Sequence, residues 1–119
     1  MKKFISAKMI NLADPRIGSK IIYKTDDFFA DVNRILNIGS PVFKDGLFDK
    51  HGKWMDGWET RRRRSKGYDY LIVKLGKPGK IFDIDIDTTH FNGNQPTHAS
   101  LEGCLSKTKP NKETKWISL

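Results

Sequence analysis

Residues 51–64, HGKWMDGWETRRRR, combine in one short segment several side chains that could do chemistry. They include a histidine, two carboxylates and four consecutive arginines, and they fit neither the period of a helix nor that of a strand. Gly52 and Gly57 divide the segment, so we interpret it as a loop. Loops on a rigid scaffold often carry binding and catalytic residues. The alternative is a connection in which Trp54 and Trp58 are core side chains and the basic end is solvated.

Histidine and carboxylate side chains are the usual proton donors and acceptors near neutral pH. His90 follows a predicted strand that ends at Asp87, so this carboxylate could orient the imidazole. His51 and Glu59 of the arginine-containing loop are further candidates. These four are our candidate catalytic residues, and the sequence leaves open which of them is the base. The alternative for the aspartates of this strand is that they form its solvated face.

The arginine run is the candidate site for an anionic ligand. A guanidinium group donates two parallel hydrogen bonds that match the two oxygens of a carboxylate. In an extended backbone alternate side chains face opposite sides, so at most two of the arginines could point into one pocket. We assign ligand binding to Arg61, Arg62 and Arg63, together with Asn92 from the polar loop at 88–96. The alternative for each arginine is a solvated surface charge.

A metal site is also conceivable around Asp85, Asp87 and His90. An oxygen-rich site with one imidazole would suit manganese or another hard divalent ion. However, the sequence contains no spacing signature such as HExxH or paired CxxC. The sequence therefore leaves the cofactor unknown.

The length of 119 residues suits a single domain. The net charge of +8 makes a nucleic-acid binder a competing hypothesis, but half of the excess lies in the arginine run and the rest is dispersed. Cys104 is the only cysteine, which excludes an internal disulfide framework. The first apolar run is too short for a signal peptide, and no stretch is long enough to span a membrane. We therefore expect a cytoplasmic protein without nucleic-acid or membrane partners.

Strands dominate the predicted elements that would position these residues. The candidates are residues 20–25, 68–75, 81–87 and 98–105, with residues 116–119 as the start of another strand. A short helix capped by Asp26 or Asp27 follows the first strand, and residues 1–19 form an entry loop. The apolar centre of 68–75 predicts a central strand buried on both faces, joined by a hairpin to the alternating strand 81–87. We predict an all-β fold, an antiparallel jelly-roll β-sandwich.

Four stretches together resemble the allantoicase family, in order and spacing. They are NLADPRIGSKIIYKTDDFFA at 11–30, GKWMDGWETRRRR at 52–64, YDYLIVKLGKPGKI at 68–81 and DIDTTHFNGNQP at 85–96. The resemblance implies two related repeats, each a jelly-roll sandwich similar to galactose-binding-like domains. Residues 1–119 look like the first repeat only, so we expect the fold to be incomplete at its C-terminus and the second repeat to be absent.

The resemblance also implies a reaction, the hydrolysis of allantoate to ureidoglycolate and urea in purine (allantoin) degradation. This is hydrolase chemistry at a C–N bond of a linear amidine. It requires an anchor for the substrate carboxylate, a base for water and an acid for the leaving nitrogen. The resemblance further implies that the full-length enzyme is a homo-oligomer and that this chain is only a fragment of the active enzyme. The alternative is a non-catalytic carbohydrate- or anion-binding module, because fold does not fix function.

Overall fold

The computed structural model describes residues 9–119, and these residues form an all-β chain without an α-helix. The strands are β1 (Lys20–Lys24), β2 (Phe48–Asp49), β3 (Gly52–Lys53), β4 (Leu71–Lys74), β5 (Glu102–Gly103) and β6 (Ile117–Ser118). They pair antiparallel as β1 with β4, β2 with β3 and β5 with β6. Short 3-10 helices occupy Pro15–Ile17 and Val32–Leu36. The predicted all-β class is confirmed, whereas the jelly-roll arrangement stays a prediction.

The β1–β4 ribbon is the longest piece of regular structure. Its register pairs Lys20 with Lys74 and Lys24 with Leu71, with an irregularity between Ile21 and Tyr23. The pairing continues beyond β1, because the Thr25 N–H donates to the Tyr70 carbonyl at 3.0 Å. The predicted first strand is therefore confirmed. Its β-branched and aromatic side chains suit a half-buried sheet surface.

The central position predicted for residues 68–75 is wrong. β4 covers only Leu71–Lys74, pairs with β1 alone, and its apolar side chains are half-buried. Continuity of apolar residues predicts burial but does not identify the covering layer. Between residues 9 and 119 no second sheet covers this strand, so β4 is an edge strand.

The predicted hairpin into residues 81–87 is also not observed, and this segment has no regular structure. The reason lies at Gly76, whose N–H is within hydrogen-bonding distance of the Leu12 carbonyl at 3.2 Å and the Ser19 hydroxyl at 2.7 Å. These contacts turn the chain toward the entry loop instead of back along β4. Phe82 and Ile86 are consequently 72% and 51% exposed.

The predicted helix is a 3-10 helix, Val32–Leu36, and its N-cap is Asp31 rather than Asp26 or Asp27. The Asp31 carboxylate accepts the Asn33 N–H at 2.8 Å, which satisfies one of the free donors at the helix start. Asp27 contributes as well, because its carboxylate accepts the Val32 N–H at 3.0 Å. The capping chemistry was predicted, but the position of the helix start was not.

Near the two ends of the described chain the regular elements are only two or three residues long, apart from β1. Of the predicted entry loop, residues 1–8 lie outside the described part, and the remainder contains the Pro15–Ile17 helix capped by Asp14. β5 covers only part of the predicted strand 98–105. It pairs with β6, where the strand predicted at the last residues is confirmed. No helix in the described residues is long and apolar enough to cross a membrane.

The most buried apolar side chains lie at the point where two distant segments meet. Ala30, Val32 and Met55 are 0%, 2% and 7% exposed, and an isolated antiparallel bridge joins Ala30 to Glu59. Dense packing at this point fixes the relative position of the segments around 30 and 55–59. This small core lies directly beneath the candidate site, and Met55 belongs to both.

Gly76→Ala is expected to lower the free energy of unfolding by about 2 kcal/mol, the usual scale of overpacking. A Cβ at this position would lie 2.5 Å from Ile17 Cγ1 and 2.6 Å from the Ile17 carbonyl oxygen, so backbone must move. Gly79→Ala is the control, because its Cβ would meet only the mobile end of Leu12 at 3.1 Å. Urea unfolding of both variants measures the difference, and equal stability would contradict the packing argument.

Candidate functional site

A cleft of about 570 Å³ opens above the small core. Its polar lining combines residues from the β2–β3 hairpin, from the bridge at Glu59 and from the loop after residue 88. The polar side chains are those of His51, Lys53, Glu59, His90, Asn92 and Asn94. Phe29, Phe43 and Met55 supply apolar wall. Polar groups converging in a partly apolar cleft are the usual form of a small-molecule site.

The cleft brings together four of the residues singled out from the sequence: His51, Glu59, His90 and Asn92. They come from two segments that are more than 25 residues apart in the chain. Loops that are held by a rigid core can bring residues from distant parts of the chain into one site. Their individual roles stay predictions.

His51 lies in the turn between β2 and β3. Its backbone N–H donates to the Asp49 carboxylate at 2.8 Å, and its Nδ1 is 2.8 Å from the Phe28 carbonyl oxygen. Because a carbonyl can only accept, Nδ1 carries the proton in this contact. In the neutral ring Nε2 then holds the lone pair, so His51 is prepared to accept a proton.

Glu59 is fixed through both its backbone and its side chain. Its N–H donates to the Ala30 carbonyl at 3.3 Å, and its own carbonyl accepts the Ala30 N–H at 3.2 Å. Its carboxylate Oε2 accepts a hydrogen bond from Asn94 Nδ2 at 2.7 Å. Asn94 thereby links the loop after residue 88 to the bridge beneath the cleft.

His90 has a left-handed backbone with a φ of 72°, an uncommon conformation for a non-glycine residue. It sits in a turn closed by the Phe91 N–H donating to the Thr88 carbonyl at 3.0 Å. Its ring lies 5.6 Å from the ring of Phe43, centroid to centroid. Phe91 packs against Gly57, where an added Cβ would lie 2.9 Å from the phenyl Cε2. This contact joins the 51–64 segment to the His90 turn.

Asp87 does not line the cleft with His90. Its carboxylate accepts the Thr89 N–H at 2.8 Å and also the Thr89 hydroxyl. These bonds lower the pKa of Asp87, with the Thr89 hydroxyl as the largest cause and the charge of His90 as a small one. In the described residues the carboxylate therefore stabilises the turn that presents His90. Its catalytic role stays a prediction.

The arginine run lies outside the cleft lining. Arg61 pairs with Asp26 at 2.7 Å, and Arg63 pairs with Asp69 at 2.9 Å. Arg62 is exposed. Two of the guanidinium groups are thus paired with carboxylates of the chain itself, which neutralise part of the local positive charge. Substrate binding by these arginines stays a prediction.

Lys53 and Asn94 are cleft residues that the sequence did not single out as site residues. The Lys53 ammonium lies 5.3 Å from the centre of the Phe43 ring, a geometry suited to a cation–π contact. An isolated lysine in a loop is indistinguishable by type from many solvated lysines. The position of Lys53 within the 51–64 segment was the available signal, but it does not show which side chains face a cleft.

The residues do not fit a metal site of the kind considered from the sequence. Within residues 9–119 there is no group of three or more histidine, cysteine, aspartate or glutamate side chains placed to hold a metal ion. The Asp87 carboxylate, one member of the proposed set, is engaged by Thr89. No step below is therefore assigned to a metal.

The chain is expected to lose stability in acid as its paired carboxylates titrate. Hydrogen bonds from Arg16 lower the pKa of Asp14, and hydrogen bonds from Arg34 and His51 lower that of Asp49. Their contribution is present above the ordinary value of 3.8 and is lost as pH falls through the lowered folded values. Urea unfolding between about pH 6 and about pH 2 measures this slope, which Asp49→Asn should flatten. An unchanged slope in that variant would contradict the assignment.

Comparison with known proteins shows which family this chain resembles. Residues 10–119 match the sequence profile described as the allantoicase repeat. A probable allantoicase of Pseudomonas fluorescens (strain SBW25) is 52% identical over 113 residues, covering 94% of this chain and 34% of the relative. A probable allantoicase of Acinetobacter baylyi is 56% identical over 111 residues, covering 93% of this chain and 33% of the relative. The chain thus spans about a third of the length of these relatives. No solved structure matches it.

Proposed function

The chain belongs to the allantoicase family, and we propose that it contributes the cleft described above to hydrolysis of allantoate to ureidoglycolate and urea. This reaction is a step of purine degradation. The observation that carries the proposal is the convergence of His51, Glu59 and His90 in one cleft, from two segments that resemble the family. Hydrolysis requires a proton acceptor and a proton donor on the same substrate, and this cleft supplies both.

The lining matches the groups of allantoate, in which one carbon bears a carboxylate and two ureido groups. We assign the carboxylate to Lys53, the lysine of the cleft lining, whose ammonium group can pair with it. Asn92 and Asn94 offer amide donors and acceptors to the ureido groups, and the Glu59 carboxylate accepts from ureido N–H. Phe29 and Phe43 provide apolar contact area beside these polar groups.

The acid–base assignment follows from the tautomer of His51. Its Nε2 accepts a proton from water while the water oxygen forms a bond to the central carbon of allantoate. The bond between that carbon and one ureido nitrogen breaks, and His90 donates the proton that this nitrogen needs to leave as urea. The products are ureidoglycolate and urea, and one water is consumed. Glu59 is the runner-up for the base, because it lines the same cleft.

The finer features expected from the family resemblance form part of the same proposal. We assign residues 1–119 to a single, partial allantoicase repeat of jelly-roll, galactose-binding-like form, acting as a C–N hydrolase on a linear amidine. We also assign the full-length protein to a homo-oligomer in the cytoplasm. Arg61, Arg62 and Arg63 contribute to attraction of the anionic substrate, and Asp87 supports the His90 turn.

Urea release from allantoate tests the function. We would assay the 119-residue chain alone and a chimera in which it replaces the matching third of the Acinetobacter baylyi relative. We expect turnover in the chimera and none, or very little, in the chain alone. Allantoate binding without turnover in the chimera would favour the alternative, a non-catalytic anion-binding module. Neither binding nor turnover in a folded chimera would contradict the proposal.

Lys53→Gln is expected to raise KM for allantoate about tenfold, because a hydrogen bond to a charged group is typically worth about 1.5–3 kcal/mol. Turnover at saturation should change little, since the carboxylate contact exists before and during the reaction. Lys50→Gln, on the same hairpin but outside the lining of this cleft, is the matched control. Steady-state kinetics of the chimera measures both. Equal KM values for the two variants would move the anchor to the arginine run.

A further inference from the structure

We propose that Arg34 is a positioning residue for His51, acting through Asp49 and the β2–β3 hairpin. Arg34 belongs to the Val32–Leu36 helix and is not among the residues that line the cleft. It therefore acts on the site through other residues. The predicted effect of Arg34 on turnover rests on the proposed function, whereas its predicted effect on the His51 ring does not.

A single guanidinium group binds the hairpin and the segment after it at three points. Its Nη2 donates to Asp49 Oδ2 at 2.5 Å, and its Nη1 donates to the Met55 carbonyl at 3.0 Å. Its Cζ lies 5.3 Å from the centre of the Trp54 ring. The side chains of Arg34 and Asp49 are only 20% and 25% exposed. Partial burial makes this ion pair stronger than one on an open surface.

Asp49 transmits this constraint to His51. Its Oδ2 is held by Arg34, and its Oδ1 accepts the backbone N–H of His51 at 2.8 Å. With the backbone of His51 fixed, the ring can place Nδ1 2.8 Å from the Phe28 carbonyl oxygen. The tautomer with the proton on Nδ1 therefore depends on a chain of contacts that begins at Arg34.

The same hairpin region carries His51, Gly52, Lys53 and Met55, which together form one wall of the cleft. Loss of the Arg34 contacts should loosen this wall where it faces the reacting groups. Rates are sensitive to such changes, because small displacements of a catalytic group remove the productive geometry. Substrate affinity should also fall, because Lys53 lies on the same wall, whereas the opposite wall from Glu59 to Asn94 keeps its own hydrogen bonds.

The direct test is the tautomer of His51 in the 119-residue chain. Two-dimensional NMR of the ring nitrogens at about pH 8, where an ordinary histidine is neutral, distinguishes the two tautomers. The wild-type chain should show the proton on Nδ1. Arg34→Gln should shift the ring toward the Nε2-protonated form that prevails for a free histidine side chain in solution. Arg34→Lys keeps the charge but loses the two-armed donor, so it should show an intermediate shift.

Asp49→Asn and Arg16→Gln complete the design. Asp49→Asn keeps an acceptor for the His51 N–H while weakening the contact with Arg34, so it should resemble Arg34→Lys and remain folded. Arg16→Gln removes a comparable arginine–aspartate pair that lies outside the cleft lining, and it should leave the His51 signals unchanged.

Kinetics of the chimera supplies the second readout. Arg34→Lys should lower kcat about tenfold, as expected for a displaced catalytic group, and should raise KM by less than Lys53→Gln does. The proposal is overturned if Arg34→Lys and Asp49→Asn, both folded, keep the wild-type tautomer. If the tautomer shifts while wild-type chimera releases no urea, positioning of His51 stands and the proposed function fails.

Discussion

His51→Asn is expected to lower turnover of allantoate about 100-fold or more, the usual contribution of a general base. The asparagine amide nitrogen can replace Nδ1 as a donor to the Phe28 carbonyl, so the local contact survives. An amide has no basic lone pair near neutral pH, so it cannot accept the proton of water. The variant therefore removes the base and retains the hydrogen bond to the Phe28 carbonyl.

The measurement is urea release by the chimera as a function of allantoate concentration and pH. Thermal unfolding of the 119-residue variant should stay close to that of the parent chain. A near-normal kcat in the folded variant would move the base to Glu59, and Glu59→Gln would then be the decisive substitution.

His90→Asn is expected to reduce turnover by a similar factor, about 100-fold, through loss of the general acid. Asparagine is chosen because it tolerates the left-handed backbone that this residue adopts, at a φ of 72°. His90→Ala removes the same imidazole but adds backbone strain of about 1–2 kcal/mol, since alanine rarely adopts this conformation. The two variants separate the chemistry of the ring from the conformation of the turn.

Both variants should therefore lose turnover, and only His90→Ala should also lose stability in urea unfolding. If His90→Asn turns over allantoate at a near-normal rate while folded, His90 is structural. The general acid would then be sought in Glu59 or in the part of the relatives that this chain does not cover.

Four of the residues that line the candidate cleft had been singled out from the sequence, whereas Asp87 and the arginines of the same prediction lie outside its lining. His51, Glu59, His90 and Asn92 were singled out because titratable and amide side chains occurred in segments predicted to be loops. Loop composition is a local property, and so it can be read without knowing how strands pair. Lys53 was missed because a lysine is equally common on a solvated surface.

Strand pairing was less accessible, because it depends on contacts between distant residues. The strict alternation of residues 81–87 predicts a half-buried strand, yet this segment has no regular structure in the described chain. The hydrogen bonds of Gly76 with Leu12 and Ser19 decide the path of the chain after β4, and no local pattern encodes them. The strand at Lys20–Lys24 was predicted correctly because its β-rich composition and its pairing agree.

The difference between local composition and long-range contacts also explains the prediction made for the arginine run. A run of four consecutive arginines suggested a ligand-binding cluster, but Arg61 and Arg63 form ion pairs with Asp26 and Asp69. Asp26 lies 35 residues before Arg61 and Asp69 lies 6 residues after Arg63, and spacing alone does not identify either pairing. Composition showed the charge; only the fold shows which carboxylates neutralise it.

The contact between Gly57 and Phe91 has a consequence for substitutions at both positions. A Cβ added at position 57 would lie 2.9 Å from Cε2 of the phenyl ring, so a larger residue there requires the ring to shift. The two segments that build the cleft are therefore coupled in side-chain volume at this point. A smaller side chain at 91 should make a larger residue at 57 less costly.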